Sequence, residues 1–551
     1  MSRRFLRSLL GAALVPTLAG PAGAQAATDT AALVDRVFAA VSRTDAPGCT
    51  VGVDRAGEAL IRRGYGMASL EARAPLTESS ILESGSVAKQ FTAGAVVYLA
   101  LHGKLDLDDP VRKYLPELPD YGSPLTIRML LHHTSGVRDM WTLFALAGSG
   151  SGTTLFTMSQ ALRMVYRQRE LNFPPNSQYL YSNSGFLLLA EIVKRVSGMP
   201  LAQFSRETFF QPLGMDHTQW RDDWNRVVPG RATAYTPAPG GFRVDMPFMS
   251  VYGAGGLLTT VGDLLKWNAN LDHPAVGGQA WADTLQVRGV LTDRRPIDYA
   301  FGLIVGKYRG EREISHSGAT GGYRTYLGRW PDRKLSVAVL CNVAGLNTIA
   351  LGRRVADVYL GGDAASAESG QKAMAAPAFE AGPLAPYVGR YRAPATEDAL
   401  MLSQKDGRLL VDLGATFPLT ALARDHFRSA DLDADLQFTR TGERVTGLTM
   451  VMGDTTVYEP VVTPPTSARE LATFAGNYYS DELDVTYRIT TADSALSVQV
   501  GEHDPETTAR TGPDSFAVPG GATLRFTRAK GRVDGFLLLA GRVKNLRFAR
   551  R

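Results

Sequence analysis

The chain has 551 residues, of which 44% are hydrophobic and 21% are charged. These proportions are typical of a water-soluble globular protein, and the length predicts two to four domains. The formal net charge of +5 falls to +2 without Arg3, Arg4 and Arg7, so neither nucleic acid nor an acidic membrane surface is expected as a partner.

The amino-terminal segment has the pattern of a secretory signal peptide. Its arginines precede a short apolar run, and an Ala-x-Ala site follows at Ala24 and Ala26. We assign residues 1–26 to this signal. The mature protein is expected to be exported, periplasmic or secreted, and to contain no integral membrane segment, because the apolar run is too short to remain as a span.

The following region alternates between helix and strand patterns. Apolar residues at helical spacing predict a helix over residues 29–43, and a β-hairpin follows with its turn at residues 55–57. Residues 86–290 are mostly helical, strand patterns return after them, and an amphipathic helix is predicted near residues 345–360. One strand pair before a helical insertion and about three strands after it indicate a split sheet, in an α/β or α+β domain over residues 27–362.

Beyond this domain the composition changes. Residues 363–382 are rich in Ala, Ser and Gly and lack apolar periodicity, which predicts a linker. The sequence then repeats itself at a period of about 88 residues: "LAPYVGRY" matches "LATFAGNY", and "LQFTRTGERVTGL" matches "LRFTRAKGRVDGF". Short alternating segments with glycine turns predict two small antiparallel β-barrel domains, over residues 383–462 and 468–551.

Ser86 and Lys89 form a Ser-x-x-Lys motif where an apolar helix is predicted to begin. A serine hydroxyl is a poor nucleophile until a neighbouring base removes its proton. The spacing puts both side chains on one helical face, where burial and the helix dipole favour a partly neutral amine. A helix-capping serine beside a solvated lysine is the alternative. Ser369 and Lys372 repeat the spacing by chance inside the linker.

Tyr181 and Asn183 form the single Tyr-x-Asn motif of the chain, just before another apolar helix. A tyrosine beside a lysine ammonium is expected to have a lowered phenol pKa and to transfer protons to or from the serine or the leaving group. The asparagine amide can hold the lysine and a substrate carbonyl at once. A turn with a packed tyrosine is the alternative.

His316 and Gly318 form the single His-x-Gly motif, on a predicted strand that runs into a glycine-rich bend. A glycine there lets a substrate backbone approach the strand edge. The N–H of Ala319 would then lie opposite the N–H of Ser86 as an oxyanion donor. A lone histidine on a strand is more often structural.

The three motifs, in this order, resemble those of the penicillin-recognising serine hydrolases, the group of class C β-lactamases, D-aminopeptidases and serine esterases. Segments such as "LTIRMLLHHTSGV" and "GAGGLLTTVGDLLKW" extend the resemblance over roughly residues 30–360. It implies an antiparallel sheet flanked by helices, with a helical subdomain. The two tandem β-domains resemble the carboxy-terminal half of D-aminopeptidase.

The resemblance also implies a role for each motif residue: Ser86 as acylated nucleophile, Lys89 and Tyr181 in general acid/base catalysis, and Asn183, His316, Gly318 and Ala319 in substrate binding. It implies an exported serine hydrolase that forms an acyl-enzyme with an amide or ester, most similar to D-aminopeptidase or a related small-peptide hydrolase. A carboxylesterase, a weak β-lactamase and a catalytically silent binding or regulatory protein are the alternatives.

The third motif departs from the pattern of the class C β-lactamases, and this difference affects which substrate is expected. Class C β-lactamases usually carry Lys-Thr-Gly where this chain has His-Ser-Gly. A histidine is mostly neutral near pH 7 and serves a substrate carboxylate less well than a lysine, so inefficient β-lactam hydrolysis is expected. The expected partner is a small-molecule or peptide substrate. The tandem β-domains either shape the active site or bind cell-wall components.

No cofactor and no metal are expected. His132 and His133 are adjacent and face different ways, and no third ligand is evident. Cys49 and Cys341 are the only cysteines, and two buried free thiols are the simplest interpretation. The resemblance adds an alternative, because in that fold the first strand lies beside the last and would bring the two cysteines together as a disulfide.

Overall fold

The computed structural model describes residues 22–150, 154–361, 382–394, 399–405, 407–412, 416–429, 434–452, 454–461, 467–492, 494–519 and 521–551. Most of the predicted signal peptide, nearly all of the predicted linker, and the second Ser-x-x-Lys pair at Ser369 and Lys372 lie outside these residues. Within them, no helix combines the length and the apolar character that crossing a membrane requires.

Eleven α-helices lie in the described part of the chain: α1 (Ala22–Phe38), α2 (Lys89–Leu101), α3 (Ile127–Leu131), α4 (Met140–Leu146), α5 (Met158–Tyr166), α6 (Asn183–Ser197), α7 (Leu201–Ser205), α8 (Val261–Asp272), α9 (Gln279–Leu285), α10 (Thr348–Leu360) and α11 (Ala468–Ala472). Short 3-10 turns occur at Ala39–Val41, Gly85–Ala88, Val111–Lys113, Pro331–Arg333 and Ala385–Tyr387, and a π-turn at Arg206–Phe210.

The strands before residue 361 are β1 (Cys49–Arg55), β2 (Glu58–Tyr65), β3 (Met67–Ser69), β4 (Ala74–Pro75), β5 (Leu82–Glu83), β6 (Phe156–Thr157), β7 (Gln219–Trp220), β8 (Tyr235–Ala238), β9 (Gly241–Val244), β10 (Met249–Ser250), β11 (Leu257–Thr259), β12 (Ile304–Tyr308), β13 (Glu311–Thr320), β14 (Tyr323–Trp330) and β15 (Leu335–Cys341).

The main sheet has the order β12-β13-β14-β15-β1-β2, and every neighbouring pair is antiparallel. β15 and β1 are neighbouring inner strands, the fourth and fifth in this order, and both are buried along most of their length. Helices α1 and α10 cover one face of the sheet and α8 covers the other, so these strands are apolar without alternation. The predicted split sheet is confirmed, and its antiparallel pairing makes the domain α+β.

A helical region fills the space between the two parts of the sheet. At its centre lies α2, which is buried on nearly every side by α6, α7 and α9. This surrounding explains why the sequence "KQFTAGAVVYLAL" is apolar without a polar face. The residues that directly follow Ser86 in the chain are therefore already part of the apolar core of the domain.

The strands after residue 382 are β16 (Gly389–Arg392), β17 (Ala399–Lys405), β18 (Arg408–Asp412), β19 (Thr416–Ala423), β20 (His426–Ser429), β21 (Ala434–Thr441), β22 (Arg444–Met452), β23 (Asp454–Pro460), β24 (Gly476–Ser480), β25 (Val485–Ala492), β26 (Ala495–Val500), β27 (Glu506–Thr507), β28 (Ala509–Gly512), β29 (Ser515–Ala517), β30 (Thr523–Ala529), β31 (Arg532–Ala540) and β32 (Val543–Arg550).

These strands form two barrel-like sheets, which confirms the predicted fold class. β16–β23 close into an eight-stranded barrel, and β24–β32 form a nine-stranded sheet whose end strands β27 and β28 follow each other in the chain. The sequence repeat is visible in a shared contact: the Tyr391 hydroxyl donates to the Tyr387 carbonyl at 2.9 Å, and the Tyr478 hydroxyl donates to the Phe474 carbonyl at 2.7 Å. All four rings are buried.

The second barrel packs directly on the helical region. Its core and that of the helices form one continuous apolar cluster, whereas the first barrel has a separate core. Polar contacts reinforce the interface, since the Tyr487 hydroxyl donates to the Leu146 carbonyl at 2.8 Å and Arg138 pairs with Glu482 at 2.6 Å. The β31–β32 hairpin is held just before α4, because Arg138 donates to the Lys544 carbonyl and the Asp139 N–H donates to the Arg542 carbonyl.

The two cysteines are joined by a disulfide, as the resemblance implied. Cys49 begins β1 and Cys341 ends β15, and the antiparallel register places them directly opposite each other. The bond closes a sequence separation of 292 residues across the centre of the sheet. The interpretation as two free thiols is wrong.

Candidate active site

Ser86 lies in the turn that leads into α2. Gly85 has φ +51°, a backbone conformation that favours glycine, and a Cβ at this position would lie 2.5 Å from the Ala319 nitrogen. Ser86 is partly exposed, whereas the neighbouring Val87 and Ala88 are fully buried. The turn therefore presents the serine hydroxyl from an otherwise closed apolar surface.

The Lys89 side chain is fully buried and reaches back to this hydroxyl. Its Nζ lies 3.1 Å from the Ser86 Oγ, 2.8 Å from the Asn183 Oδ1 and 2.7 Å from the Ala254 carbonyl oxygen. Burial lowers the pKa of Lys89 well below its usual value. The predicted pairing of the two side chains is present, and the direction of the pKa shift agrees with the predicted, partly neutral amine.

Asp139 is the nearby negative charge, and sequence analysis did not identify it. Its carboxylate accepts hydrogen bonds from the Asn183 N–H and from the Asn183 side-chain amide, at 2.7 and 2.8 Å. It also caps α4 by accepting from the N–H groups of Trp141 and Thr142. An aspartate before an apolar helical run signals a helix cap, but only the tertiary fold places it beside Asn183.

Asn183 links this carboxylate to the lysine. Its carbonyl oxygen accepts from Lys89, while its NH₂ group donates to Asp139, so the orientation of the amide is determined by both partners. Asp139 raises the pKa of Lys89, but burial has the larger effect. The structure thus shows Asn183 holding the lysine, and its contact with substrate stays a prediction.

Tyr181 contacts the same amine through its ring. Lys89 Nζ lies 4.7 Å from the ring centroid. The ring is partly exposed, but the hydroxyl is buried and makes no hydrogen bond of standard geometry to a described residue. Burial raises the pKa of Tyr181, and the Ser86 hydroxyl is close enough to offset part of that rise. The predicted lowering is therefore wrong, because loss of solvent outweighs nearby positive charge.

His316 lies on β13, close to Tyr181. Its Nδ1 is 2.6 Å from the Ser317 carbonyl oxygen, so this nitrogen donates, and Nε2 accepts from the Tyr299 hydroxyl at 3.0 Å. Burial, followed by the Lys89 charge, lowers the pKa of His316 to about 4. The imidazole is neutral near pH 7, as predicted. Tyr299 was not identified from the sequence, which shows it only as an aromatic residue before a strand.

The edge of β13 passes close to the serine turn. A Cβ on Gly318 would lie 2.0 Å from the Ser84 carbonyl oxygen and 2.9 Å from the Ser86 nitrogen, so only glycine permits this approach. Pairing with β12 ends at Ser315, which leaves the edge from His316 onward without a strand partner in the described sheet. Ser86 and Ala319 thus lie on facing segments, the arrangement that an oxyanion site requires.

The two adjacent histidines make separate contacts. His132 Nε2 donates to the Val287 carbonyl at 3.0 Å, and His133 Nδ1 accepts from the Ser182 N–H at 3.1 Å. His133 also packs against Tyr181, with ring centroids 4.2 Å apart. Among the described residues, no three His, Cys, Asp or Glu side chains are grouped to hold a metal ion.

Comparison with known proteins places this arrangement in a family. The family model described as beta-lactamase matches residues 33–360, which is more than half of the chain. The chain belongs to the β-lactamase family. The resemblance inferred from the three motifs is therefore confirmed, and Ser86, Lys89, Tyr181, Asn183 and His316 all lie within the matched region of this β-lactamase-family protein.

Curated relatives of this family member include D-aminopeptidases. The D-aminopeptidase of Gluconobacter oxydans is 31% identical over 312 residues, covering 56% of this chain and 58% of that protein. The D-aminopeptidase of Brucella canis is 29% identical over 300 residues, covering 54% and 57%. The matches thus span less than two thirds of the length of these relatives.

Solved structures share the fold at lower identity. A penicillin-binding protein homologue from Pyrococcus abyssi, described as octameric, has a TM-score of 0.56 at 22% identity and covers 78% of this chain and 99% of its own. The D-amino acid amidase of Ochrobactrum anthropi SV3 has a TM-score of 0.51 at 20% identity and covers 60% and 99%. At these identities the likeness shows the fold of this β-lactamase-family protein alone.

Proposed function

We propose that this protein is a serine hydrolase that forms an acyl-enzyme on Ser86 and cleaves amides of small peptides or D-amino acids. One observation carries the proposal: a buried Lys89 amine lies 3.1 Å from a partly exposed serine hydroxyl. Its other two contacts are oxygen acceptors. A neutral amine can donate to both of these and still direct its lone pair at the serine proton.

The reaction follows from these positions. Lys89 takes the Ser86 proton as Oγ attacks the substrate carbonyl carbon, and the N–H groups of Ser86 and Ala319 donate to the resulting oxyanion. The proton passes to the leaving nitrogen through Lys89 or Tyr181 when the C–N bond breaks. Water then attacks the acyl carbon and returns the serine to its starting state. Because Lys89 and Tyr181 are in contact, they share this proton as a pair.

The comparisons support the substrate class. The curated relatives carry the name D-aminopeptidase, and solved structures of similar fold include a D-amino acid amidase and a D-stereospecific amidohydrolase. The neutral His316 offers no fixed cation to a substrate carboxylate, unlike the lysine that class C β-lactamases usually carry at this position. Initial rates on matched D- and L-alanine amides, each with a free and with an N-succinylated amino group, and on the corresponding esters test the class. A preference for the ester alone would favour a carboxylesterase.

The first test of the mechanism is intact-mass analysis after incubation with a fluorophosphonate and, separately, with a penicillin. We expect one fluorophosphonate adduct on the wild type and none on Ser86→Ala. The surface variant Ser79→Ala is the matched control and should be labelled like the wild type. A wild type without an adduct would instead support a catalytically silent binding protein.

We also propose that the protein is exported. The Cys49–Cys341 disulfide supports this proposal, because such bonds persist mainly in oxidising compartments outside the cytosol. The signal-peptide pattern of residues 1–26 also supports export. Fractionation of cells that produce the full chain should place a shortened, oxidised protein outside the cytosol. A full-length, reduced protein in the cytosol would contradict export.

A further inference from the structure

The turn of the β31–β32 hairpin carries an arginine from the second barrel to the active site. The guanidinium carbon of Arg542 lies 4.8 Å from the centroid of the Tyr181 ring. This is the same ring that Lys89 contacts at 4.7 Å. An arginine from the far end of the sequence thus lies one aromatic ring away from the proposed catalytic amine.

The backbone of this turn is held firmly by the catalytic domain. The Arg542 carbonyl oxygen accepts from the Asp139 N–H at 3.3 Å and from the Asn172 side-chain amide at 2.9 Å. The N–H of Lys544 donates to the Asn172 Oδ1 at 2.7 Å. Arg138, which is fully buried, donates to the Lys544 carbonyl at 3.1 Å. Position 542 is therefore fixed relative to Ser86 before any ligand arrives.

The Arg542 side chain, by contrast, has an unused charge. Arg542 is exposed, and no ion pair or side-chain hydrogen bond involves its guanidinium among the described residues. The carboxylate of Asp139, whose N–H donates to the Arg542 carbonyl, is itself buried and bonded to Asn183 and the start of α4. The positive charge of Arg542 lowers the pKa of Lys89, although burial has the larger effect.

We propose that Arg542 recognises a carboxylate on the substrate, close to the bond that is cleaved. This inference rests on the proposed function and narrows its substrate class. A guanidinium presents a planar set of donors that matches a carboxylate, and a ring contact with Tyr181 orients it. His316 lacks a fixed charge, so the His-x-Gly motif provides no cation for this carboxylate. Arg542 of the second barrel supplies it instead.

The same charge disfavours one part of the proposed class. A substrate whose free ammonium group lies beside the scissile bond would bring a second cation close to Arg542, with no free carboxylate to compensate. Peptide derivatives with an acidic acyl group or a carboxylate on the leaving group are favoured. Specificity therefore depends on a residue outside the region that matches the family model.

Two matched pairs of aryl esters test the inference. In one pair the acyl half ends in either a succinyl carboxylate or the corresponding carboxamide. In the other pair the leaving phenol carries a meta-carboxylate or a meta-carboxamide. The readout is the ratio of kcat/KM for the anionic member to kcat/KM for the neutral member. A change in the basicity of Lys89 affects both members equally, so it cancels in this ratio. We expect the wild type to prefer the anionic member of one pair by roughly 10- to 100-fold, as for a hydrogen bond to a charged group.

Variants then locate the preference. Arg542→Gln should reduce the ratio towards one, Arg542→Lys should retain part of it, and Arg542→Glu should invert it. Arg547→Gln is the matched control, because Arg547 is an exposed arginine on β32, and it should leave the ratio unchanged. Thermal melting checks that each variant is folded. The inference is overturned if the wild type shows no preference in either pair or if Arg542→Gln retains it.

The outcome for the inference is separable from that for the proposed function. A wild type that is labelled by fluorophosphonate at Ser86 but does not distinguish the ester pairs contradicts the role of Arg542 alone. A wild type that is neither labelled nor active contradicts both, because no acyl transfer would then exist for Arg542 to direct.

Discussion

At the scale of single residues, the chemistry depends on how burial changes Lys89. The amine lies among apolar helices, and its only described polar contacts are with Ser86, Asn183 and Ala254. Removal from water disfavours the ammonium form far more than Asp139 favours it. A larger share of the amine is therefore neutral at a given pH than in an exposed lysine, which favours its role as a base.

Substitution of Lys89 by methionine should lower kcat/KM by roughly 10²- to 10⁴-fold, the usual contribution of a positioned general base. Methionine has a similar length and suits an apolar site, so the fold should persist. Steady-state kinetics with an activated ester measure the loss, and circular dichroism checks folding. A variant with wild-type kcat/KM would contradict the role of Lys89 as base.

The pH dependence of kcat/KM should report the neutral amine. Activity should rise with pH as Lys89 loses its proton, and the midpoint of this rise should lie well below 10.5 because burial lowers the pKa. Asp139 raises that pKa, so Asp139→Asn should move the midpoint to lower pH. Asp332→Asn, a change at an exposed site, is the control. A midpoint that moves upward in Asp139→Asn would refute this electrostatic account.

Buried neutral histidine should make the protein sensitive to acid. Burial lowers the pKa of His132 to about 4 from an ordinary 6.5. The unfolded state then binds the extra proton, so stability is complete above pH 6.5 and is lost as the pH falls towards 4, by about 3 kcal/mol. Thermal melting of His132→Gln should show a weaker loss over this range. His217→Gln, at an exposed site, should behave like the wild type.

At the scale of secondary-structure elements, the two sequence-distant parts of the sheet are joined by the pairing of β1 with β15. β1 comes before the helical insertion and β15 after it, so their pairing closes the whole catalytic domain. The disulfide fixes one end of that pairing, next to the strand β14 that pairs with β13. The edge that carries His316 is therefore built on the most constrained part of the sheet.

Removal of this disulfide should destabilise the protein by about 2–5 kcal/mol, because the bond restricts a long loop in the unfolded chain. The double variant Cys49→Ala, Cys341→Ala should unfold at lower denaturant concentration than the oxidised wild type. Reductant should weaken the wild type and leave the double variant unchanged. Equal stability of the two proteins would show that strand pairing alone is sufficient.

At the scale of the whole molecule, the second barrel packs on the helical region and contributes a residue to the candidate active site. Its core is continuous with that of the helical region, and its β31–β32 hairpin brings Arg542 to Tyr181. Deletion of residues 363–551 would therefore expose apolar surface as well as remove Arg542. Point variants at the interface separate these effects better than truncation.

The buried pair of Arg138 and Glu482 provides such a variant. Both side chains are almost fully buried and lie 2.6 Å apart. Arg138→Met leaves a buried carboxylate unpaired and should cost about 3–5 kcal/mol in free energy of unfolding, whereas the additional change Glu482→Leu should recover part of it. Arg128→Met breaks an exposed pair with Asp108 and should cost at most about 1 kcal/mol. Denaturant unfolding and limited proteolysis measure these changes.

Sequence alone predicted the features that depend on short spacings. Ser86 and Lys89 are three residues apart, and Tyr181 and Asn183 two apart, so local geometry already brings each pair together. The order of the three motifs then gave the family, and the internal repeat gave the two barrels.

The tertiary structure decided everything that depends on distant contacts and on burial. Asp139 acts on Asn183 from 44 residues away, and Arg542 reaches Tyr181 from another domain. The pKa of Tyr181 is raised where the sequence predicted a lower value, because a neighbouring lysine is visible in the sequence but the exclusion of water is not. Residue identity determined which groups were available for chemistry, and the packed fold determined their solvation and therefore their protonation.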